Sequence, residues 1–247
     1  RRDLVADADL REAQLACDVR RLGLVRATGP AAAVASLLIG QSASLQGIAP
    51  DVELVAAEAF FDAPEFGLVS TGYQLVQALD WLAGEEVAVI NMSLAGPANN
   101  VLARSVELII DSNIVIVAAV GNDGPASAPR YPAAYPDVLA VTAIDRNDRA
   151  YLRACRGDHL DFAAPGVNVS VADPGQGSSY RLASGTSFAT PFVSALVLHY
   201  RNSHPDASPA EIVQAMSTDV IDLGEPGPDP VFGWGLAGAS LLGETGN

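Results

Sequence analysis

From residue 30 onward, short and almost uninterrupted apolar runs alternate with helical patterns, and this alternation most constrains the fold. Val52 to Ala59, Val87 to Met92, Ile114 to Ala119 and Val138 to Ala143 read as strands. Ala31 to Ile39, Gly72 to Leu82, Val101 to Ser112, Ser187 to Tyr200 and Pro209 to Ser217 read as helices. Strands apolar on both faces need cover on both faces. The expected class is therefore α/β, a mainly parallel sheet with helices on either side. No internal repeat or long linker interrupts the pattern, so residues 1–247 are expected to form one domain. The first 29 residues are charged and weakly patterned, and read as a degenerate or truncated N-terminal segment. Within them Leu4 to Ala6 is a poor strand and Val19 to Val25 a better one.

Composition removes several functions. With 49% apolar and 17% charged residues, a 247-residue chain can bury a sizeable core. A net charge of −15 repels a phosphate backbone, so no nucleic-acid partner is expected. Every one of the 14 cations is arginine, which excludes a Schiff-base lysine, a P-loop lysine and a Ser–Lys dyad. The longest apolar runs, Ile114 to Val120 and Val193 to Leu198, are too short to span a bilayer. No basic stretch leads into an apolar one, so no export signal is expected within the sequence. Cys17 and Cys155 form no C-x-x-C and the three histidines are dispersed, so no metal site is expected. The two cysteines read as free thiols, or as one bridge if the fold joins them.

Gly185-Thr186-Ser187-Phe188-Ala189-Thr190-Pro191 carries the chemistry. It places Ser187 in the first turn of an apolar helix, where unpaired N–H groups and the helix dipole favour developing negative charge. Small neighbours let a substrate approach closely. An ordinary serine cap would occupy the same position, so the weight falls on the segments that accompany it.

The seven-residue stretch resembles the G-T-S-x-A-x-P signature around the nucleophile of subtilisin-like serine proteases, the subtilases. Further segments follow in the family's order, across about residues 30 to 240. Val89-Ile90-Asn91-Met92-Ser93-Leu94-Ala95-Gly96 resembles the strand lining the cleft, and Val117 to Gly124 the strand and turn bearing the oxyanion asparagine. Tyr131-Pro132-Ala133 resembles a segment with a cis proline; Asp161 to Gly166 and Phe232 to Gly235 also fit. The resemblance implies a subtilisin-like three-layer fold, serine endopeptidase chemistry at the carboxyl ends of the strands, and secreted or periplasmic residence. It implies Ser187 as nucleophile and Asn122 as oxyanion donor. It further implies Ser93, Leu94, Ala95 and Gly96 as the backbone that pairs with a peptide or protein ligand, with Ala118, Ala119 and Gly121 walling a pocket for an apolar side chain. Calcium is implied by the resemblance alone. No oxygen-rich loop stands out, and Asp145-Arg146-Asn147-Asp148 reads as a polar turn.

The sequence departs from the family at the general base. Where active subtilases begin a helix with H-G-T, this chain has Pro30-Ala31-Ala32, in a register set by the match from Val34 onward. Proline is comfortable at a helix start but cannot take a proton. For the family's apolar strand followed by D-[ST]-G, the best match is Leu4-Val5-Ala6-Asp7-Ala8-Asp9. Asp7 is either the triad acid or a solvated loop carboxylate. His199 lies twelve residues beyond Ser187 on one helix, about 18 Å away; His204 and His159 are no better placed. A related family, the sedolisins, uses a glutamate on the equivalent helix, but no acid occurs between Arg26 and Gln41. The expectation is a catalytically impaired homologue, a pseudoprotease that binds peptide or protein in its cleft. The alternatives are an active endopeptidase using Ser187 with an unrecognised base, and a structural role for the acidic surface.

Overall fold

The computed structural model describes residues 21–26, 30–42, 45–65, 67–173 and 180–242. Only the middle of a covered sheet hides both faces of an apolar strand. That position goes to β5 (Val89–Met92), β6 (Val115–Ala119) and β7 (Leu139–Ile144), buried at every residue. The eight-stranded sheet also holds β1 (Arg21–Arg26), β2 (Glu53–Glu58), β8 (Phe162–Pro165), β11 (Val220–Ile221) and β12 (Leu236–Ala237), in the order β11-β12-β8-β7-β6-β5-β1-β2. Its pairs are parallel except β11 with β12. Two antiparallel hairpins stand outside it: β3 (Phe61–Ala63) with β4 (Gly67–Val69), and β9 (Val169–Ala172) with β10 (Tyr180–Ala183).

Alternate strand residues feed opposite layers. On one face Val89, Val115, Val117 and Leu139 pack with helices α1 (Pro30–Ile39), α4 (Thr186–Ser203) and α5 (Pro209–Met216), through residues such as Leu38, Val193 and Ile212. On the other, Ile90, Met92, Ile116 and Ala140 meet Leu79 of α2 (Gly72–Gly84) and Val106 of α3 (Asn100–Asp111). The expected three-layer α/β arrangement is therefore what the chain forms. Three helices start at side-chain caps: the Thr71–Gln74 capping box, Asn99, and the Ser208–Glu211 box with Pro209 behind it. Helix α4 starts at Gly185 with no side chain of its own to cap it.

The connectivity locates a crevice. From β1 the chain moves outward to β2, then returns to β5 on the far side of β1. This reversal is a topological switch point, and in open parallel sheets ligands bind outside the carboxyl ends of the strands there. The residues leaving β5 at that point are Ser93 to Gly96. Those leaving β1 run from Arg26 to Pro30, which opens α1. The strand expected at Val19 to Val25 is thus β1, whereas Leu4 to Ala6 lies outside the described residues.

Candidate active site

Ser187 is the second residue of α4 and is half-buried above the carboxyl ends of the sheet. The helix is held there from below and from the side. The Gly185 N–H donates to the Gly166 carbonyl at 2.8 Å. Gly166 has no room for a side chain, because a Cβ would stand 2.7 Å from Ala143 Cβ and 2.9 Å from the Gly185 oxygen.

A proline within the helix shapes the first turn. Pro191 follows Ser187 by four residues and has no N–H to donate to the Ser187 carbonyl. That carbonyl instead accepts from Ser93 Oγ at 2.8 Å. Ser93 Oγ accepts from Asn91 Nδ2 at 2.9 Å, and Asn91 Oδ1 accepts from Ser194 Oγ at 3.0 Å. Asn91 and Ser194 are fully buried. A polar chain therefore ties the first turn of α4 to the end of β5.

Asn122 lies in the turn after β6, directly after Gly121, whose φ of +100° suits glycine. The Thr186 N–H donates to Asn122 Oδ1 at 3.0 Å, and Thr186 Oγ1 donates to the same oxygen at 3.2 Å. Thr186 Oγ1 in turn accepts from the Gly121 N–H at 3.2 Å. A backbone N–H only donates, so the amide atom facing Thr186 is the oxygen and Nδ2 points away. Among the described residues, Asn122 Nδ2 and the Ser187 N–H bond to nothing. Two unengaged donors beside a hydroxyl at a helix N-terminus are suited to stabilise an oxyanion.

The Ser187 hydroxyl likewise has no hydrogen-bond partner among the described residues. All three histidines are described, and their surroundings lie elsewhere. His199 is far along α4, and His204 stacks on Tyr200 at a centroid distance of 4.4 Å beyond its end. His159 lines a cavity of about 430 Å³ with Leu139, Asp161, Pro209 and Val213, where β7 begins, at the opposite pole of the sheet. Burial lowers the His159 pKa, against an opposing pull from Asp158. Burial also pushes Asp161 up to about 6, although its Oδ2 accepts from the Ala140 N–H at 2.8 Å.

The sequence-predicted residues separate into groups. Ser187, Asn122 and Ser93 come together. Pro30 is the first residue of α1. Asp7 and Cys17 lie outside the described residues; Cys155 is buried and free. The strand beside β5 is β1, and its sequence Arg21-Leu22-Gly23-Leu24-Val25-Arg26 contains no carboxylate. The signal for it, four apolar or small residues from Leu22 to Val25, was present in the sequence but no acid followed it. Gly96 has its N–H and C=O both bonded to Tyr131, at 2.8 and 2.9 Å, and the Leu94 N–H donates to the Met92 carbonyl at 2.8 Å, so backbone left for pairing narrows to Ser93, the Leu94 carbonyl and Ala95. Ala118 and Ala119 are fully buried in the sheet and present no pocket wall. The Tyr131–Pro132 bond is cis. Among the described residues, no three or more His, Cys, Asp or Glu side chains are grouped to hold a metal ion. No described helix is long and apolar enough to cross a membrane.

Comparison with known proteins follows this geometry. The model of the subtilase family, Peptidase S8, matches residues 27–235. Minor extracellular protease Epr of Bacillus subtilis (strain 168) is 32% identical over 193 residues, 78% of this chain and 29% of that protein. Subtilisin BL of Lederbergia lenta is 33% identical over 202 residues, 81% of this chain and 71% of that protein. Subtilisin E of Bacillus subtilis (strain 168) is 31% identical over 190 residues, and the chain spans 48% of its length. Among solved structures, the prenylagaramide maturation protease PagA superposes with a TM-score of 0.78 at 22% identity, covering 95% of this chain and 96% of that one. The self-cleaved protease domain of PatA gives 0.76 at 24% identity, covering 92% and 96%. These two share the fold.

Proposed function

The chain belongs to the subtilase family, and from that premise we propose that it keeps the nucleophile and oxyanion donors of a serine protease, lacks the base, and holds an extended peptide without useful cleavage. The observation that carries this reading is the composition of the switch point. Arg26, Ala27, Thr28, Gly29 and Pro30 join the end of β1 to the start of α1. The family resemblance calls for an aspartate after such a strand and a histidine at the start of such a helix. Neither a carboxylate nor an imidazole occurs among these five residues. The unpartnered Ser187 hydroxyl and the remote histidines support the same reading.

A serine hydroxyl without a base is a weak nucleophile at neutral pH. In subtilisin itself, removing the catalytic histidine costs about 2 × 10⁶ in turnover, leaving roughly 10³–10⁴ over water. The same order of loss here leaves binding as the useful property. A peptide needs only backbone groups to pair with a strand edge, and Ser93, the Leu94 carbonyl and Ala95 offer them beside Ser187. Residence outside the cytoplasm is part of the proposal, supported by relatives such as an extracellular protease.

The test is exposure of the full chain to a fluorophosphonate probe and a fluorogenic peptide, alongside anisotropy of a fluorescein-labelled peptide. The expected result is measurable peptide binding with no rapid labelling. Rapid stoichiometric labelling that disappears in Ser187→Ala would overturn the loss of catalysis. It would instead support an active endopeptidase, the reading that the two free oxyanion donors favour.

A further inference from the structure

The turn that carries Asn122 has Arg130 and Arg153 beside it, in a chain with 14 cations against 29 acids. Arg130 precedes Tyr131, and the two hydrogen bonds between Tyr131 and Gly96 bring it to the end of the cleft strand. A Cβ built on Gly121 would lie 3.1 Å from Arg130 Cγ and 3.2 Å from both Ala95 Cβ and Cys155 Sγ. The Arg130 stem therefore crosses beside Ala95 and Gly121, one residue from Asn122. Its Nε stands 2.8 Å from Asp123 Oδ2, with the two side chains 31% and 51% exposed. The terminal guanidinium nitrogens bond to nothing among the described residues. The neighbouring segment adds charge of the same sign. The Gly124 N–H donates to the Arg153 carbonyl at 2.9 Å and the Cys155 N–H to the Gly121 carbonyl at 3.0 Å. That alignment sets the backbone of Arg153, an exposed residue, beside Gly124 of the turn, where Asp123 is the neighbouring acid.

We propose that this rim makes the cleft selective for an acidic peptide, with Arg130 receiving an Asp or Glu side chain while the ligand backbone lies along Ser93 to Ala95. The inference rests on the peptide-cleft reading and replaces the apolar pocket expected from the sequence. A guanidinium fork matches a carboxylate in geometry as well as charge. Asp123 is the ion-pair partner at Nε and competes with the incoming carboxylate.

The test uses four fluorescein-labelled pentapeptide amides that differ at one residue, Glu, Gln, Leu or Lys, titrated with the full chain by anisotropy at low salt. A charge-assisted hydrogen bond should make the Glu peptide bind about tenfold tighter than its isosteric Gln partner. Added salt should shrink that ratio. Arg130→Gln should remove the Glu-over-Gln preference, whereas Asp123→Asn should widen it. Equal affinity for Glu and Gln alongside measurable Leu binding would overturn the acidic preference and leave the peptide cleft standing. Absence of binding by all four would overturn both. If Arg130→Gln fails to fold, Asp123→Asn decides, and an unchanged Glu-to-Gln ratio counts against the proposal.

Discussion

The hydroxyl of Ser93 matters because Pro191 lies four residues after Ser187, and a double-mutant cycle measures that dependence. In the parent chain Ser93→Ala removes the donor to the Ser187 carbonyl at 2.8 Å and the acceptor of Asn91 Nδ2 at 2.9 Å. Each polar group left unsatisfied in a buried setting costs about 1–3 kcal/mol. Because Ser187 is half-buried, a total of about 2–4 kcal/mol is expected. In the Pro191→Ala background, residue 191 regains an N–H aimed at the carbonyl four residues back. Ser93→Ala then costs only the Asn91 share, about 1–2 kcal/mol. The difference, a coupling of about 1–2 kcal/mol, is well above the scatter of independent sites. Urea unfolding of the four chains, read as midpoint shifts at constant slope, supplies the numbers. Additivity within about 0.5 kcal/mol would refute the idea that the missing proline donor is what the Ser93 hydroxyl replaces.

Three further outcomes follow from the same structure. Asp161 titrates at about 6 instead of 3.8 because burial disfavours its charged form. Its stabilising contribution is therefore complete below about pH 3.8 and is lost as pH rises through about 6. At 1.36 kcal/mol per unit the loss reaches about 3 kcal/mol, reduced to about 1–2 by the group's remaining contact with solvent. Asp161→Asn should flatten this loss, and melts showing the same variant-to-parent gap at pH 5 and pH 8 would contradict it. Arg201 is buried and donates to the Pro205 carbonyl and to both the carbonyl and the side chain of Asn113. Arg201→Met should cost about 3 kcal/mol by orphaning those carbonyls, and a midpoint shift worth less than about 1 kcal/mol would argue otherwise. Gly166→Ala should destabilise by about 1–3 kcal/mol through its clash with Ala143 and Gly185. Peptide affinity should fall with it, since α4 must shift; unchanged affinity in calorimetry would show that the helix start has room to spare.

Long, periodic elements were legible in the sequence, because the property that forms them is local. Gly72 to Leu82 showed its apolar spacing and lies in α2; Val87 to Met92 and Ile114 to Ala119 contain β5 and β6. The hairpins β3–β4 and β9–β10 were not legible. Their strands are three or four residues long and mixed in exposure, too short for a period to register. Ala118 and Ala119 illustrate a different limit. Residues in the same run can face a pocket or a core, and only the layers packed on each face decide which.

By itself, the sequence determined that an α/β sheet would form and that Ser187 would stand at the start of a helix, because patterning and turn chemistry act over a few residues. It also determined that no lysine is available and that Pro30 suits the start of a helix. Only the tertiary structure decided that β1 is the strand beside β5, so that the switch point lies between the carboxyl ends of these two strands. It alone engaged Gly96 with Tyr131, turned Asn122 by way of Thr186, and set Arg130 against Asp123. Each of these partners is distant in the chain or faces its neighbour only after a turn closes. Hydrogen bonds and ion pairs of that kind depend on where the sheet delivers the ends of its strands, and no local pattern encodes that.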